Sequence, residues 1–202
     1  LYERSLARLN KIILRGTGAI EIKSGYGLSL ESELKILRVI KKLKENSPIF
    51  IKSTFLGAHA VPLNFKNKKS EYVNYLINDM LPLIKSENLA DYIDIFCEDG
   101  YFDVDDTIKI LKAGKKFGLK GKTHVNQFNS IGGVKASIDN DCISVDHLEV
   151  MEDEDFLAFK DSSCIATLLP SCSFFLGIPY SPAKEFIKKN IPFNLATDYN
   201  PG

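Results

Sequence analysis

The chain has 202 residues, enough for one domain with a full core. Lysine plus arginine and aspartate plus glutamate number 26 each, so the formal net charge is zero and gives no support for binding nucleic acid or a charged membrane surface. No apolar run approaches the ~18 residues needed to span a bilayer, and 45% hydrophobic with 26% charged residues is ordinary for a globular protein.

Residues 3–15 read as a helix, and the run 18–23 as a first strand closed by the turn Ser24-Gly25-Tyr26-Gly27. Ser29 then caps a helix reaching about 45, with Glu31 and Glu33 in its first turn and Leu30, Leu34, Leu37 and Ile40 on one face. Pro48 leads into the β-branched and aromatic strand 49–56. After a loop with Pro62 and Asn64, a helix is predicted over 69–86, striped by Val73, Leu76, Ile77, Met80 and Ile84. Strand 92–97, helix 105–117, strand 119–124 and a short helix over 130–138 follow. Strand 142–146, helix 152–160, strand 164–169, helix 182–189 and strand 193–197 complete the alternation.

Strands reached in turn through helices predict a parallel sheet, and right-handed crossovers make it either a doubly wound sheet or a barrel. The barrel is expected, because polar residues fall after nearly every strand rather than at one switch point. A (β/α)8 barrel needs one strand more than the seven found, and its expected place is upstream of Leu1, since the chain opens on a helix. Residues 1–202 are then most of one catalytic barrel domain, incomplete, with strands 2–8 present. Cys97, Cys142, Cys164 and Cys172 form no CxxC pair and read as buried free thiols of a reducing compartment, the cytoplasm.

All three histidines stand where a strand gives out: His59 after FIKSTFLGA, His124 after LKGKT and His147 after CISVD. Asp198 closes a fourth run, PFNLAT. In a parallel barrel such strand ends converge on the face that carries the chemistry. Two imidazoles and a carboxylate delivered there make a partial shell for a transition metal. Asp198 reads equally well as a helix cap or as the lead-in to an Asn200-Pro201-Gly202 turn. Tyr26, between two glycines, can meet a substrate or pack on a neighbour; Glu98 is a pocket acid or a plain strand-end acid; Gln127 can donate to a bound ligand. No glycine fingerprint for a dinucleotide or a nucleoside triphosphate is present.

Together, KSGYGL, TFLGAHAVP, DIFCEDGYF, KTHVNQ, SVDHLE, ATLLPSCSFFLG and LATDYNPG resemble the imidazolonepropionase family of the amidohydrolase superfamily, from about residue 18 onward. The resemblance implies a (β/α)8 barrel with one divalent metal, zinc or iron. It further implies a small β-sandwich domain outside these residues and a homodimer. The implied reaction, in histidine degradation, is hydrolysis of the cyclic amide of 4-imidazolone-5-propanoate to N-formimidoyl-L-glutamate. By motif, His124 and Asp198 become metal ligands, His59 contacts the substrate and polarises the ring carbonyl, His147 shuttles a proton, and Tyr26 lines the pocket. Gln127 stands where some members carry a glutamate base; an amide cannot take a proton, so base work falls to His147 or Asp198. The family's HxH pair is not found in this chain, in keeping with a first strand lying outside it. Two alternatives stay open: another cyclic amidohydrolase or deaminase on the same barrel, and a folded piece with no activity of its own.

Overall fold

α1 (Tyr2–Ile13) leads into β1 (Ala19–Lys23), then α2 (Leu30–Asn46) and β2 (Phe50–Ala58). The structure, a computed structural model, describes residues 1–199. α3 (Lys69–Tyr75), α4 (Leu81–Ser86), β3 (Tyr92–Cys97), α5 (Val104–Lys116), β4 (Lys120–Val125) and α6 (Gly133–Asp139) continue the chain. β5 (Ser144–His147), α7 (Asp153–Ala158), β6 (Ile165–Leu168), α8 (Pro170–Leu176), α9 (Ala183–Lys188) and β7 (Phe193–Leu195) close it.

Every strand lies parallel to the next, in the order β1-β2-β3-β4-β5-β6-β7. Sequential neighbours without a reversal make the wall of a barrel, whereas a doubly wound sheet turns back at a switch point. The chain is therefore an incomplete (β/α)8 barrel, as expected. No helix among the described residues is long and apolar enough to cross a membrane.

The longer helices α2 and α5 bury an apolar stripe against the outer face of the sheet. α2 is capped by Ser29, whose Oγ accepts the Ser32 N–H at 3.3 Å, and it buries Leu34, Leu37, Ile40 and Leu43. α5 carries a capping box between Asp103 and Asp106. Its Gly114 lies so close to β3 that an added Cβ would stand 2.4 Å from Ile93 Cγ2. Gly114→Ala is therefore expected to destabilise by about 1–3 kcal/mol through overpacking, read as a lower urea midpoint at unchanged m-value.

Two differences from expectation have local causes. The helix expected over 69–86 is interrupted by a π turn at Leu76–Met80. Pro82, in the first turn of α4, has no N–H to give and crowds the carbonyl four residues back, which a widened turn relieves. α8 was not expected: Phe174 and Phe175 are exposed, so it lacks the apolar stripe that marks α2 and α5. All four cysteines are buried and free.

Candidate active site

Alternation along the strands sends Glu21 and Lys23 of β1, Thr54 of β2, Asp94 of β3, Lys122 and His124 of β4, and Ser144 and Asp146 of β5 to the barrel's inner side. There they bond to one another. Lys23 Nζ donates to Asp94 Oδ2 at 2.6 Å and to Asp146 Oδ2 at 3.1 Å, and lies 3.0 Å from Glu21 Oε1. Lys122 Nζ donates to Glu21 Oε2 at 2.5 Å and stands 3.7 Å from Asp146 Oδ2. Thr54 donates to Glu21, and Ser144 Oγ to Asp146 Oδ1 at 3.1 Å.

Burial alone would lower the Lys23 ammonium's pKa; the carboxylates of Asp146, Asp94 and Glu21 outweigh it and hold the group well above the ordinary lysine value. Burial would likewise raise Asp94, but its neighbours His124 and Lys23 carry its carboxyl far below the usual range. Asp146 is depressed in the same way, with Lys23 and Lys122 outweighing its burial. Lys23, Asp94 and Asp146 are thus held in their charged forms at neutral pH.

His124 sits at its upper rim. Asp94 Oδ1 accepts from the Ile95 N–H at 2.8 Å and lies 3.0 Å from His124 Nδ1. An ionised carboxylate only accepts, so the imidazole carries its proton on Nδ1 and presents Nε2 as a lone-pair donor to a metal. Asp94, His124 and Asp146 are all buried and offer ligand atoms within 4.8 Å of one another, a group that could hold a metal ion. Lys23 already compensates the two carboxylates, however, which leaves the His124 nitrogen as the group's uncommitted donor. An imidazole whose other nitrogen rests on a buried carboxylate fits zinc or iron.

A row of rings runs across the strand ends. Tyr26 meets His59 edge-on at 4.9 Å between centroids, and His59 lies 6.0 Å from Phe96. Phe96 is 6.4 Å from His124, and His124 is 5.2 Å from His147. The structure therefore brings His59, His124, His147 and Tyr26 together. Burial first, then the neighbouring His124, holds the His59 imidazole below its ordinary pKa against the pull of Asp94 and Asp198, so the ring is neutral at pH 7.

His147 reaches this row by breaking the alternation. Its β4 partner in register is Val125, which packs in the outer core, whereas its own ring lies beside His124. The backbone makes the turn with φ +87 at His147 and +64 at Leu148, a region non-glycine residues avoid. Ser181 Oγ donates to the His147 carbonyl at 2.7 Å. Strain of this kind persists only where surrounding contacts hold it, and it gathers at functional sites.

Asp198 is half-buried with φ +44, and its charge reaches both His59 and Cys172. Burial, with Asp198 and Glu149, pushes the Cys172 thiol up to about 12. Gln127 Nε2 lies 3.8 Å from Cys172 Sγ, so Gln127 and Asp198 border the same thiol. Asp198 is not in the donor group with His124 among the described residues. The turn expected at Asn200-Pro201-Gly202 lies outside them.

Two buried glutamates position the loops. Glu33 accepts the N–H groups of Gly25, Gly27 and Leu28 at 3.0, 2.6 and 3.1 Å, which fixes the turn presenting Tyr26. Gly25 has φ +119, and a Cβ there would stand 2.7 Å from the Leu56 carbonyl oxygen, so only glycine fits. Glu98 accepts from the N–H groups of Asp99, Phe128 and Asn129 at 3.0, 2.9 and 3.3 Å, and so holds the loop that carries Gln127. The Asn129 side-chain amide also donates to Glu98 Oε1 at 3.1 Å, so both Glu98 oxygens are engaged in holding loops.

No family model matches the chain. Over all 202 residues it is 57% identical to the imidazolonepropionase of Flavobacterium johnsoniae and 42% identical to that of Thermoanaerobacter pseudethanolicus, covering 49% of each. The chain thus spans about half the length of the curated relatives it matches. Among solved structures, guanine deaminase from C. acetobutylicum with bound guanine superposes with a TM-score of 0.73 at 16% identity, over 100% of this chain and 51% of that one. Atrazine chlorohydrolase from Arthrobacter aurescens TC1 complexed with zinc gives 0.70 at 12%, over 97% of this chain and 48% of that one. At such identities the likeness speaks for the fold.

Proposed function

Because the chain is 57% and 42% identical, over its whole length, to two curated imidazolonepropionases of which it spans about half, we propose that the protein carrying it opens the ring of 4-imidazolone-5-propanoate, a step of histidine degradation. Water adds to the ring carbonyl carbon, the ring C–N bond breaks, and the departing nitrogen takes a proton, giving N-formimidoyl-L-glutamate. The observation that carries this reading is the row of three imidazoles at the strand ends, one of them seated on a buried carboxylate.

His124 and Asp198 would hold a divalent metal, zinc or iron, with further ligands from outside these residues. Such an ion supplies Lewis-acid polarisation of a carbonyl and makes hydroxide available near neutral pH. His59, neutral and half-buried beside Tyr26, donates a ring N–H to the carbonyl oxygen as charge builds there. Tyr26, 58% exposed, stays open to the substrate. Gln127 donates to bound ligand but cannot accept a proton. Proton transfer to nitrogen therefore belongs to His147, with Asp198 beside the reacting carbonyl. The whole protein would work as a homodimer in the cytoplasm, its sandwich domain and first barrel strand supplied by residues beyond this chain.

The test is to follow N-formimidoyl-L-glutamate formation by the whole protein, metal-loaded and after chelation. Metal-dependent turnover is expected; a metal-loaded protein that leaves the ring intact would sink the reading. His59→Ala should lower kcat by about 100–1,000-fold, the usual cost of one oxyanion donor, with metal content unchanged.

A further inference from the structure

Glu149 is a buried carboxylate that the reaction outlined above does not use. Its Oε1 accepts from Ser173 Oγ at 2.9 Å. Its Oε2 lies 3.5 Å from His147 Nδ1, and each of these two atoms is buried without a hydrogen-bond partner among the described residues. The spacing counts as an ion-pair contact but not as a made hydrogen bond. An unpartnered donor and an unpartnered acceptor at this distance, both shut off from water, are a costly arrangement unless they close on each other. Catalytic hydrogen bonds are often long in a ligand-free site and tighten when it is occupied.

We propose that Glu149 is a positioning residue for His147, with Ser173 as the post that holds it. The proposal deepens the reading of the site above and rests on it for the reaction, though not for the geometry. Glu149 Oε2 accepts a hydrogen bond from the Nδ1–H of His147, which leaves Nε2 unprotonated on the side of the ring row, able to accept a proton and pass it on. Three features converge on this. The left-handed backbone at His147 and Leu148 turns the ring inward. Ser181 holds the His147 carbonyl. Ser173, on α8, pins the far oxygen of the carboxylate, so Glu149 can turn only its second oxygen to the ring. The arrangement does for His147 what the buried aspartate of a serine-protease triad does for its histidine, fixing tautomer and orientation without itself being protonated.

The experiment is Glu149→Gln in the whole protein, with ring ¹⁵N shifts of His147 and steady-state kinetics on 4-imidazolone-5-propanoate as readouts. With the amide oxygen kept opposite Ser173, the amide N–H2 faces Nδ1 and forces the proton to Nε2. The expected result is a switch of the His147 tautomer from Nδ1–H to Nε2–H, with kcat lower by about 100- to 10,000-fold and KM within about threefold. Glu149→Asp, which keeps the carboxylate, should restore the Nδ1–H tautomer and part of kcat. A wild-type tautomer in Glu149→Gln overturns the proposal, and so does a kcat within about threefold of wild type. If the wild-type protein does not open this ring at all, the reading of the function fails. The tautomer switch alone then decides the role of Glu149.

Discussion

Lys23→Met is expected to destabilise the protein by about 3 kcal/mol, because it strips the cation from two carboxylates that have no access to water. Asp94 has no exposed side-chain surface and Asp146 only 5%, and Lys23 is bonded to both. Removing one partner of a buried pair leaves an uncompensated charge, at a typical cost of about 3–5 kcal/mol. Lys122 still faces Asp146 at 3.7 Å, which argues for the low end. The pH dependence separates this cause from a packing defect. In the wild type the raised Lys23 contributes fully below the ordinary lysine value and loses that contribution only as pH climbs through its folded pKa. Asp94 and Asp146, depressed when folded, contribute above the ordinary carboxylate value and lose it as pH falls through their folded pKa values. In the variant the depression of both carboxylates is smaller, with His124 left to act on Asp94 and Lys122 and His124 on Asp146, so the variant loses less stability on acidification. The gap between variant and wild type should therefore narrow as pH falls below the ordinary carboxylate value in urea unfolding. A gap that is constant with pH would assign the loss to packing.

That ion cluster is also where sequence reading falls short. The parallel sheet, the barrel, and the gathering of His59, His124 and His147 were all legible, because strand ends in a parallel wall converge whatever the side chains are. Glu21, Lys23, Asp94, Lys122 and Asp146 were not singled out, although the signal was present. In AIEIK, YIDIFC and CISVD a charged residue alternates with apolar ones, the pattern of a strand with one face in water. Only the curling of the wall, which brings Lys23 of β1 against Asp146 of β5, turns that face into an interior, and curling is a tertiary fact. The inward turn of His147 was hidden for a related reason: alternation alone would place it on the helix side, and a positive φ at a histidine leaves no mark in the sequence. α8 did leave marks, Pro170 in its first turn and Gly177 just past its end, but without an apolar stripe they read as loop.

His124→Ala should abolish tight metal binding by the whole protein, whereas Asp94→Asn should weaken it by about 10–100-fold. The two residues stand together in the same candidate donor group, so equal effects would be the simple expectation. The hydrogen bonds argue otherwise. Asp94 Oδ2 is taken by Lys23 at 2.6 Å, and Oδ1 by the Ile95 N–H at 2.8 Å and His124 Nδ1 at 3.0 Å. A carboxylate so committed acts on the metal through the imidazole, by fixing its tautomer and raising the basicity of Nε2. In Asp94→Asn the amide oxygen can still accept from Ile95 and His124, so the ring stays aimed while the full negative charge behind it is lost. Alanine at 124 removes the donor atom outright. Competition against a chelator of known affinity measures both variants independently of turnover, with circular dichroism confirming that each is folded. If Asp94→Asn loses metal as completely as His124→Ala, Asp94 is itself a ligand, and Lys23 must move aside to let the ion in.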